Sequence, residues 1–442
     1  MRSNATRTLG SIGISMLLIL TVGCGFGTGS GNSAETTPDT PSNTTGVSSP
    51  SANPSPSNPA SSSASASSSS PAKTAEDKAI NDIISRMTLE QKVGQMILAG
   101  IDGTKIDSSM KAMIADQHVG GIILYKNNFS DLAGSVRLVN ELKKANKDNP
   151  APLFISVDQE GGKVSRLPKD FLAIPTAEKV GRTGKPELAQ EMGAILSNEL
   201  SLMGFNVDFA PVLDINSNPK NPVIGSRSFG NDAELVTKMG ISLMKGLQEG
   251  GTIPVVKHFP GHGDTSVDSH LDLPIVQKTA KQLEALEWIP FQAAIENGTD
   301  AVMVAHILFP LIDPDAPASF SKVIIGEQLR GTLGFDGVVI TDDMTMGAIA
   351  DHYGIEDAAL KSVQAGSDIL LIAHGYNTEK KVYDKLIESV QNGQLEQSRI
   401  DESVRRILTL KHKYQLSDDQ VPTPTLDDLP NEQIRQWLTR LK

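Results

Sequence analysis

Eight short apolar runs recur along the chain, and segments with the helical spacing of apolar residues lie between them. Continuous apolar strands that alternate with helices are typical of a parallel sheet covered on both faces. Eight such units favour a closed (β/α)8 barrel over the alternative, an open doubly wound sheet. No glycine-rich phosphate-binding fingerprint follows any run, which further disfavours the open sheet. The runs are Met96–Gly100, Gly121–Tyr125, Leu153–Val157, Val207–Leu213, Ile253–Val256, Ala301–Ala305, Gly337–Ile340 and Asp368–Ile372.

Helical spacing is clearest in a few segments between these runs. A helix with one buried face carries apolar residues at intervals of three and four positions. The segments that meet this pattern best are Pro186–Met203, Ala233–Gln248, Ala280–Glu296, Glu356–Ala365, Glu379–Gln391 and Ile400–Tyr414.

The first 24 residues have the order of an export signal. Arg2 and Arg7 precede a mostly apolar run from Leu9 to Val22, which is short for a stable membrane span. Cys24 is the only cysteine, so no disulfide can form within the chain. The letters TVGC that end at Cys24 resemble the lipobox of bacterial lipoproteins. We therefore predict a lipid anchor on Cys24 at the extracytoplasmic face of the cell membrane; an ordinary secretory signal or an uncleaved anchor is the alternative.

Residues 25–73 are nearly all Ser, Thr, Pro, Ala, Asn and Gly. Such a segment cannot bury enough apolar surface to offset its loss of entropy on ordering, so we predict a disordered linker. Its random-coil reach is roughly 40 Å. The folded part is expected at 74–442, as one catalytic domain and a monomer. A net charge of −12 without clustered basic residues argues against nucleic-acid binding.

Titratable residues directly follow five of the eight apolar runs. In a parallel barrel the carboxyl ends of all strands meet at one face, where catalytic residues lie. This regularity predicts an enzyme with its active site at that face. The residues are Asp158, Asp214, Lys257 with His258, His306, and Asp342 with Asp343.

The seventh run ends in two adjacent aspartates, within GVVITDDM. Because side chains alternate along a strand, only one of the two is expected to point into a pocket. Asp342 in that position could be a nucleophile, a general base or a metal ligand. For Asp343 we predict a helix-capping role at the start of residues 344–350.

The fifth run is followed by KHFPGHGDTSVDSH, which extends from Lys257 to His270. An aspartate that binds one ring nitrogen of a histidine fixes its tautomer and leaves the other nitrogen for proton transfer. Asp268 and His270 have the spacing for such a pair, although most pairs of this kind in loops are structural. The alternative interpretation is a metal site, whose ligands would be drawn from His258, His262, Asp264 and His270.

Two further segments combine charges with glycines, DQEGGKVSR at 158–166 and GSRSFG at 225–230. The carboxylate of Asp158 and the guanidinium groups of Arg166 and Arg227 could bind hydroxyls or carboxylates through forked hydrogen bonds. An ion pair that holds two loops together would also explain them.

Taken together, the motifs KHFPGHGDTSVDSH, DQEGGKVSR and GVVITDDM resemble family 3 glycoside hydrolases, in particular the β-N-acetylglucosaminidase branch, from about Met87 to Leu410. The resemblance implies a (β/α)8 barrel and a retaining reaction, with Asp342 as nucleophile, His270 as acid/base and Asp268 as its partner. It implies no cofactor or metal. It also implies that sugar is bound by Asp158, Arg166, Arg227, Lys257 and His258, and that His262 and Asp264 shape the loop.

Many β-glucosidases of that family take their acid/base from a second, C-terminal domain. The chain after the last predicted helix is short for such a domain, so we expect the acid/base to come from the barrel. The expected activity is exo-hydrolysis of terminal β-linked N-acetylglucosamine from muropeptides or other oligosaccharides. Two alternatives remain: a phosphorylase that uses the same residues, and an exported lipoprotein that binds sugar without turnover.

Overall fold

Eight parallel strands form the centre of the fold, all of them within residues 71–442, which the computed structural model describes. Each strand pairs with its neighbours in sequence, and β1 also pairs with β8. A parallel bridge between Ile340 and Ile369 joins β7 to the start of β8 and closes the ring. The predicted (β/α)8 barrel is confirmed. The strands are β1 (Ile97–Gly100), β2 (Gly121–Ile123), β3 (Phe154–Val157), β4 (Val207–Asp208), β5 (Ile253–Phe259), β6 (Ala301–Val304), β7 (Val338–Thr341) and β8 (Leu370–Ile372).

Helices surround the barrel, and aspartates begin several of them. Asp107, Asp131 and Asp232 each accept a hydrogen bond from a backbone N–H in the first turn of the following helix. The α-helices of the described part are α1 (Pro71–Arg86), α2 (Leu89–Gln95), α3 (Ser108–Ala115), α4 (Leu132–Ala145), α5 (Ala177–Gly181), α6 (Pro186–Met203), α7 (Ala233–Glu249), α8 (Ala280–Glu284), α9 (Ile289–Glu296), α10 (Gly347–Ala350), α11 (Ile355–Ala365), α12 (Tyr376–Gln391), α13 (Gln397–Lys413) and α14 (Asn431–Thr439). Short 3₁₀ segments lie at Lys126–Asn128, Gly225–Arg227, Ala318–Phe320 and Leu426–Asp428, and a π-helix at Val323–Thr332.

One predicted helix, 280–296, is divided into α8 and α9. Pro290 lies in the first turn of α9, where its missing N–H is tolerated, whereas in the interior of a continuous helix it would remove a hydrogen bond. Trp288, between the two helices, is buried and its ring stacks on Phe259 at 5.9 Å between centroids. Burial of this large side chain fixes the break.

The end of the barrel opposite the active-site face is closed by apolar side chains. They surround one small apolar space and are all buried, so this end of the barrel holds the fold together and leaves the polar chemistry to the other face. Its lining is Leu98, Phe154, Val207, Ile253, Val255, Ala301, Ile340, Ile369 and Leu410.

The predicted export segment, with Cys24, and residues 25–70 of the predicted linker lie outside the described residues. Helix α1 begins at Pro71, three residues before the predicted start of the domain. Within residues 71–442, no helix combines the length and apolarity that a membrane crossing requires.

Candidate active site

A cavity of about 340 Å³ opens at the carboxyl ends of the strands. Its lining comes from strand ends and the loops that follow them, as the barrel topology predicts. Seven of the eight residues predicted to act on the sugar line it: Asp158, Arg166, Arg227, Lys257, His258, His270 and Asp342. The eighth, Asp268, does not line the cavity but hydrogen-bonds to His270.

A buried cluster of opposite charges forms one wall of this cavity. Lys257 Nζ lies 2.6 Å from Asp158 Oδ1 and 2.6 Å from Glu160 Oε1. Arg227 donates two hydrogen bonds to the Glu160 carboxylate, from Nε at 2.8 Å and from Nη2 at 2.7 Å. The forked geometry fixes the guanidinium plane. Asp158, Lys257 and Arg227 belong to this cluster and also line the cavity, so an ion pair that holds two loops together is compatible with sugar binding.

Glu160 is the centre of the cluster and was not predicted as a site residue. Burial alone would raise the pKa of its carboxyl, but the charges of Arg227 and Lys257 hold the pKa far below its usual range. Burial alone would likewise lower the pKa of Lys257, and the carboxylates of Asp158 and Glu160 raise it instead. Both groups are charged at neutral pH, and Asp158, whose side chain is 19% exposed, presents the cluster to the cavity.

Two glycines explain how the chain places Glu160. Gly161 and Gly162 have φ angles of 84° and 59°, in the left-handed region that favours glycine. The tight turn they form lets Glu160 N–H donate to the Val164 carbonyl at 2.9 Å. A Cβ on Gly161 would also lie 2.8 Å from the Pro175 carbonyl oxygen. The turn therefore requires glycine, and it brings the segment that follows β3 back toward the cavity.

Asp214 orients the histidine next to this cluster. Its Oδ2 lies 2.6 Å from His258 Nδ1, and its Oδ1 accepts the His262 N–H at 2.6 Å. Burial would raise the pKa of Asp214, but the interaction with His258 lowers it, so the carboxyl is ionised. With Nδ1 bound, the remaining His258 nitrogen faces the cavity wall, 3.4 Å from Arg227 Nη2.

Asp342 lies directly after β7, and its side chain lines the cavity. Its Oδ1 accepts the N–H of Asp343 at 2.9 Å. Burial would raise the pKa of this carboxyl, but His306, His258 and the Asp343 N–H together hold the pKa below its usual range. The group is therefore an ionised carboxylate with little water around it, which is the state a carboxylate nucleophile requires.

Asp343 does not cap a helix at residues 344–350 as predicted. Helix α10 begins later, at Gly347, with Met346 at its N-cap position. The Asp343 carboxylate instead accepts from the N–H of Thr345 at 2.9 Å and from the N–H of Ala373 at 3.0 Å. It ties the turn after β7 to the end of β8 and so supports the strand end that carries Asp342.

His306 lies beneath Asp342 and is fully buried. Its Nδ1 is 2.7 Å from Ser319 Oγ, and its Nε2 is 3.0 Å from the Asp343 carbonyl oxygen. Burial lowers the pKa of this imidazole, and its Nε2 carries a proton that it donates to that carbonyl, because a carbonyl oxygen can only accept. His306 was singled out from the sequence by its position after β6, and its contact with Asp343 gives it a supporting role.

The loop after β5 carries the predicted proton-transfer pair. His270 Nδ1 lies 2.8 Å from Asp268 Oδ1, and the same oxygen accepts the His270 backbone N–H at 2.9 Å. The His270 side chain is 64% exposed, so its remaining nitrogen can reach a substrate. Burial would raise the pKa of Asp268, but its hydrogen bonds from His270 lower it. The pair therefore has a carboxylate that fixes the ring and a ring nitrogen open to the cavity.

Each of the four residues named for the alternative metal site has a separate hydrogen-bond or ion-pair partner in the described part of the chain. His262 hydrogen-bonds through Nδ1 to Thr265 and through Nε2 to Ser269, and burial lowers the pKa of its ring to about 4. Asp264 pairs with Lys278 at 2.7 Å. Within residues 71–442, no three His, Cys, Asp or Glu side chains are placed to hold a metal ion. His262 and Asp264 instead brace the loop.

Two cavity residues, Tyr125 and His374, were not predicted. They follow β2 and β8, and their rings lie 5.5 Å apart between centroids. Burial and the Asp158 carboxylate raise the pKa of Tyr125 well above its usual value, so its hydroxyl stays protonated and can donate to a ligand. The only sequence signal for a site role of Tyr125 and His374 is that each follows a strand.

Arg166 is held at the cavity through its backbone. Its N–H donates to Gln159 Oε1 at 2.8 Å, and the Gln159 N–H donates to Asp208 Oδ1 at 2.9 Å. The Arg166 Nε is shielded from solvent and has no partner among the described residues. A buried donor without a partner costs free energy unless a ligand binds it, so this guanidinium is suited to substrate binding.

Glu199 is a buried acid that makes the stability of the protein depend on pH. Burial of Glu199, on α6, raises the pKa of its carboxyl from 4.5 to about 8, although the nearby Gln159 side chain acts to lower it. From about pH 4.5 to 8 the unfolded chain loses a proton that the folded protein keeps. Stability from this group is therefore fully present below pH 4.5 and declines as the pH rises to 8.

We expect Glu199→Gln to raise the free energy of unfolding at pH 8 by about 1–3 kcal/mol, because the neutral amide removes that proton loss. Urea unfolding at pH 5 and pH 8 measures it, with the exposed Glu187→Gln on the same helix as the matched control. Equal pH dependence in the Glu199 variant and the unmodified protein would contradict the prediction.

Comparison with known proteins identifies the family. Residues 88–410 match the model of the glycosyl hydrolase family 3 N-terminal domain. The chain belongs to glycosyl hydrolase family 3. The predicted enzyme class, a glycosidase, is thereby confirmed, and the expected barrel is the fold of this family's N-terminal domain.

Two beta-hexosaminidases are similar to the chain over most of the barrel. The chain is 34% identical to beta-hexosaminidase A of Pseudoalteromonas piscicida over 334 residues, which are 70% of this chain and 56% of that protein, so it spans little more than half of that relative. It is 36% identical to a beta-hexosaminidase of Neisseria meningitidis over 63% of this chain and 78% of the relative.

A solved structure is also similar to this chain. The family 3 beta-N-acetylglucosaminidase from Paenibacillus sp. FPU-7 is 42% identical and superposes with a TM-score of 0.75. The match covers 80% of this chain and 68% of the other.

Proposed function

We propose that this family 3 glycosidase is a retaining exo-β-N-acetylglucosaminidase. The observation that carries the proposal is the presence of an ionised, buried Asp342 and an exposed His270, oriented by Asp268, in the lining of one cavity. The beta-hexosaminidases and the beta-N-acetylglucosaminidase to which the chain is similar support the choice of sugar.

In the proposed reaction, Asp342 attacks the anomeric carbon and forms a glycosyl ester as the glycosidic C–O bond breaks. His270 gives its proton to the departing oxygen. Water then attacks the ester from the face the leaving group has left, and His270 takes a proton from it, which restores both groups and retains the configuration. A histidine in the place of the usual carboxylic acid needs only a proton near neutral pH and an orienting partner, which Asp268 provides.

The buried charge cluster is suited to hold the terminal sugar. Asp158 and Lys257 can bind its hydroxyl groups as acceptor and donor, while His258, Arg166 and Arg227 offer donors around the same space. The cavity volume is at the small end of the range for ligand sites, which favours a single sugar unit and hence exo action. We assign the N-acetylglucosamine pocket to the wall that contains Arg227.

The natural substrate belongs to the same proposal. Muropeptides fit an exported enzyme with a lipid anchor on Cys24 and a linker that reaches the cell wall, as the N-terminal sequence predicts. Metabolic labelling with palmitate tests this part, with Cys24→Ser as the control variant. Absence of label in the unmodified protein would contradict the anchor.

Digestion of purified muropeptides, with and without inorganic phosphate, tests the activity. We expect free N-acetylglucosamine in both cases, with the β-anomer formed first in a proton NMR time course. Formation of N-acetylglucosamine 1-phosphate would favour the phosphorylase alternative. Tight binding of the sugar without turnover would favour a sugar-binding lipoprotein.

A further inference from the structure

A second histidine–aspartate pair lies next to the proton-transfer pair. His352 Nε2 is 2.6 Å from Asp272 Oδ1. Asp272 belongs to the loop after β5, whereas His352 follows α10, the first helix after β7 and Asp342. The pair therefore connects the segment that carries His270 to the segment that carries Asp342.

On the loop side, Asp272 and His270 belong to the same turn. The N–H groups of Leu271 and Asp272 both donate to the Asp268 carbonyl, at 2.9 and 3.0 Å. Asp268 in turn binds the His270 ring through its carboxylate. Because Asp268 is part of both sets of contacts, a restraint on Asp272 also restrains the orientation of the His270 ring.

On the barrel side, the His352 side chain is 40% exposed, but its backbone and its neighbour are anchored. Its N–H donates to the Ile349 carbonyl at 3.2 Å. The next residue, Tyr353, packs its ring edge-on against the buried Phe320, with centroids 4.9 Å apart. His352 therefore presents a fixed point to the loop.

Besides the hydrogen bond between Ser269 Oγ and His262 Nε2, at 3.1 Å, few other contacts hold the turn. Its backbone accepts two long hydrogen bonds from α10, Gly347 N–H to the His270 carbonyl at 3.3 Å and Ala348 N–H to the Ser269 carbonyl at 3.2 Å. Apolar burial contributes little, because Leu271 is 76% exposed. The His352–Asp272 hydrogen bond, at 2.6 Å, is thus the shortest hydrogen bond between this turn and the segment that follows Asp342.

We propose that His352 is a positioning residue, which holds Asp272 and thereby keeps the His270–Asp268 pair directed at the glycosidic oxygen. The proposal rests on the acid/base role proposed above for His270. Loss of the pair lets the turn move away from α10, so that the proton donor is in place for a smaller fraction of the time. Substrates whose leaving group needs a proton lose rate, and substrates whose leaving group departs as a stable anion do not.

The test compares β-N-acetylglucosaminides with phenyl, p-nitrophenyl and dinitrophenyl leaving groups. For His352→Ala we expect kcat/KM to fall about three- to tenfold with the phenyl glycoside and less than about twofold with the dinitrophenyl glycoside, because proton donation contributes only to the former. Asp272→Asn is the second variant, and the double variant should lose no more than the larger single loss. Asp384→Asn, in the exposed Lys380–Asp384 pair on α12, is the matched control and should change neither substrate.

His270→Ala, measured in the same series, separates the two proposals. A leaving-group dependence in His270→Ala but not in His352→Ala overturns the positioning role alone. Absence of that dependence in His270→Ala overturns the acid/base role and, with it, the positioning role. Equal losses with all three substrates in His352→Ala, or additive losses in the double variant, indicate a merely structural contact and overturn the proposal.

Discussion

Replacement of Asp342 by alanine should lower kcat for p-nitrophenyl β-N-acetylglucosaminide by at least about 10⁴-fold, the scale seen when a covalent nucleophile is removed. The reason is that Asp342 lies directly after β7, lines the cavity and has a lowered pKa, whereas Asp158, which follows β3 in the same lining, is paired with Lys257. Steady-state release of p-nitrophenol measures the loss. The matched control is the exposed Asp351→Ala, nine residues further on, which should retain activity.

Azide provides an independent check on this assignment. In Asp342→Ala, azide can occupy the space of the missing carboxylate and attack the anomeric carbon directly. Attack from that face inverts the configuration, so the expected product is the α-glycosyl azide, identified by proton NMR. Activity of Asp342→Ala close to that of the unmodified protein, or a β-glycosyl azide as its product, would assign the nucleophile elsewhere.

The position of Asp342 could be predicted because two regularities of sequence coincide. An apolar run followed by helix is a strand of a parallel barrel, and the residue directly after such a strand lies at the active-site face. The same regularities predict that Asp158, Lys257 and His258 lie together at that face. The prediction depends only on the direction of the strands, so it does not require the contacts of individual side chains to be known.

Glu160 lies beyond the reach of these regularities. From the sequence it is one more polar residue in a loop, two positions after Asp158. Its role comes from contacts with Arg227 and Lys257, which are 67 and 97 residues away in the chain. The pairing of His352 with Asp272, 80 residues apart, is of the same kind. No local pattern specifies such contacts, because they depend on how the loops fold over the barrel end.

Local sequence patterns also gave a wrong prediction in two places. Asp343 precedes a helical pattern and so resembles a cap, but its carboxylate is taken up by Thr345 and by Ala373 after β8. The helical spacing of 280–296 continues through a break that the burial of Trp288 and the position of Pro290 impose. In both cases a tertiary contact outweighs a local preference.

His270→Ala carries the second large effect, and its size should depend on the substrate. With the phenyl glycoside we expect kcat/KM to fall by about 10²–10⁴-fold, the usual contribution of a general acid. With the dinitrophenyl glycoside the first step needs no proton, so kcat/KM should fall by less than about tenfold. The second step still lacks its base, and the glycosyl-enzyme should therefore accumulate and be detectable by intact-protein mass spectrometry.

Azide again distinguishes the roles, now with the opposite stereochemistry. In His270→Ala the Asp342 ester forms with the dinitrophenyl substrate, and azide attacks it from the open face without help from a base. The product is then the β-glycosyl azide, and the turnover rate rises with azide concentration.

Asp268→Asn should show a smaller loss with the same dependence on the leaving group, because His270 keeps its ring but loses the carboxylate that orients it. His412→Ala, an exposed histidine on α13 outside the cavity lining, is the control. A uniform loss with every leaving group, and no response to azide, would show that His270 serves the structure of the loop and that the proton comes from another group.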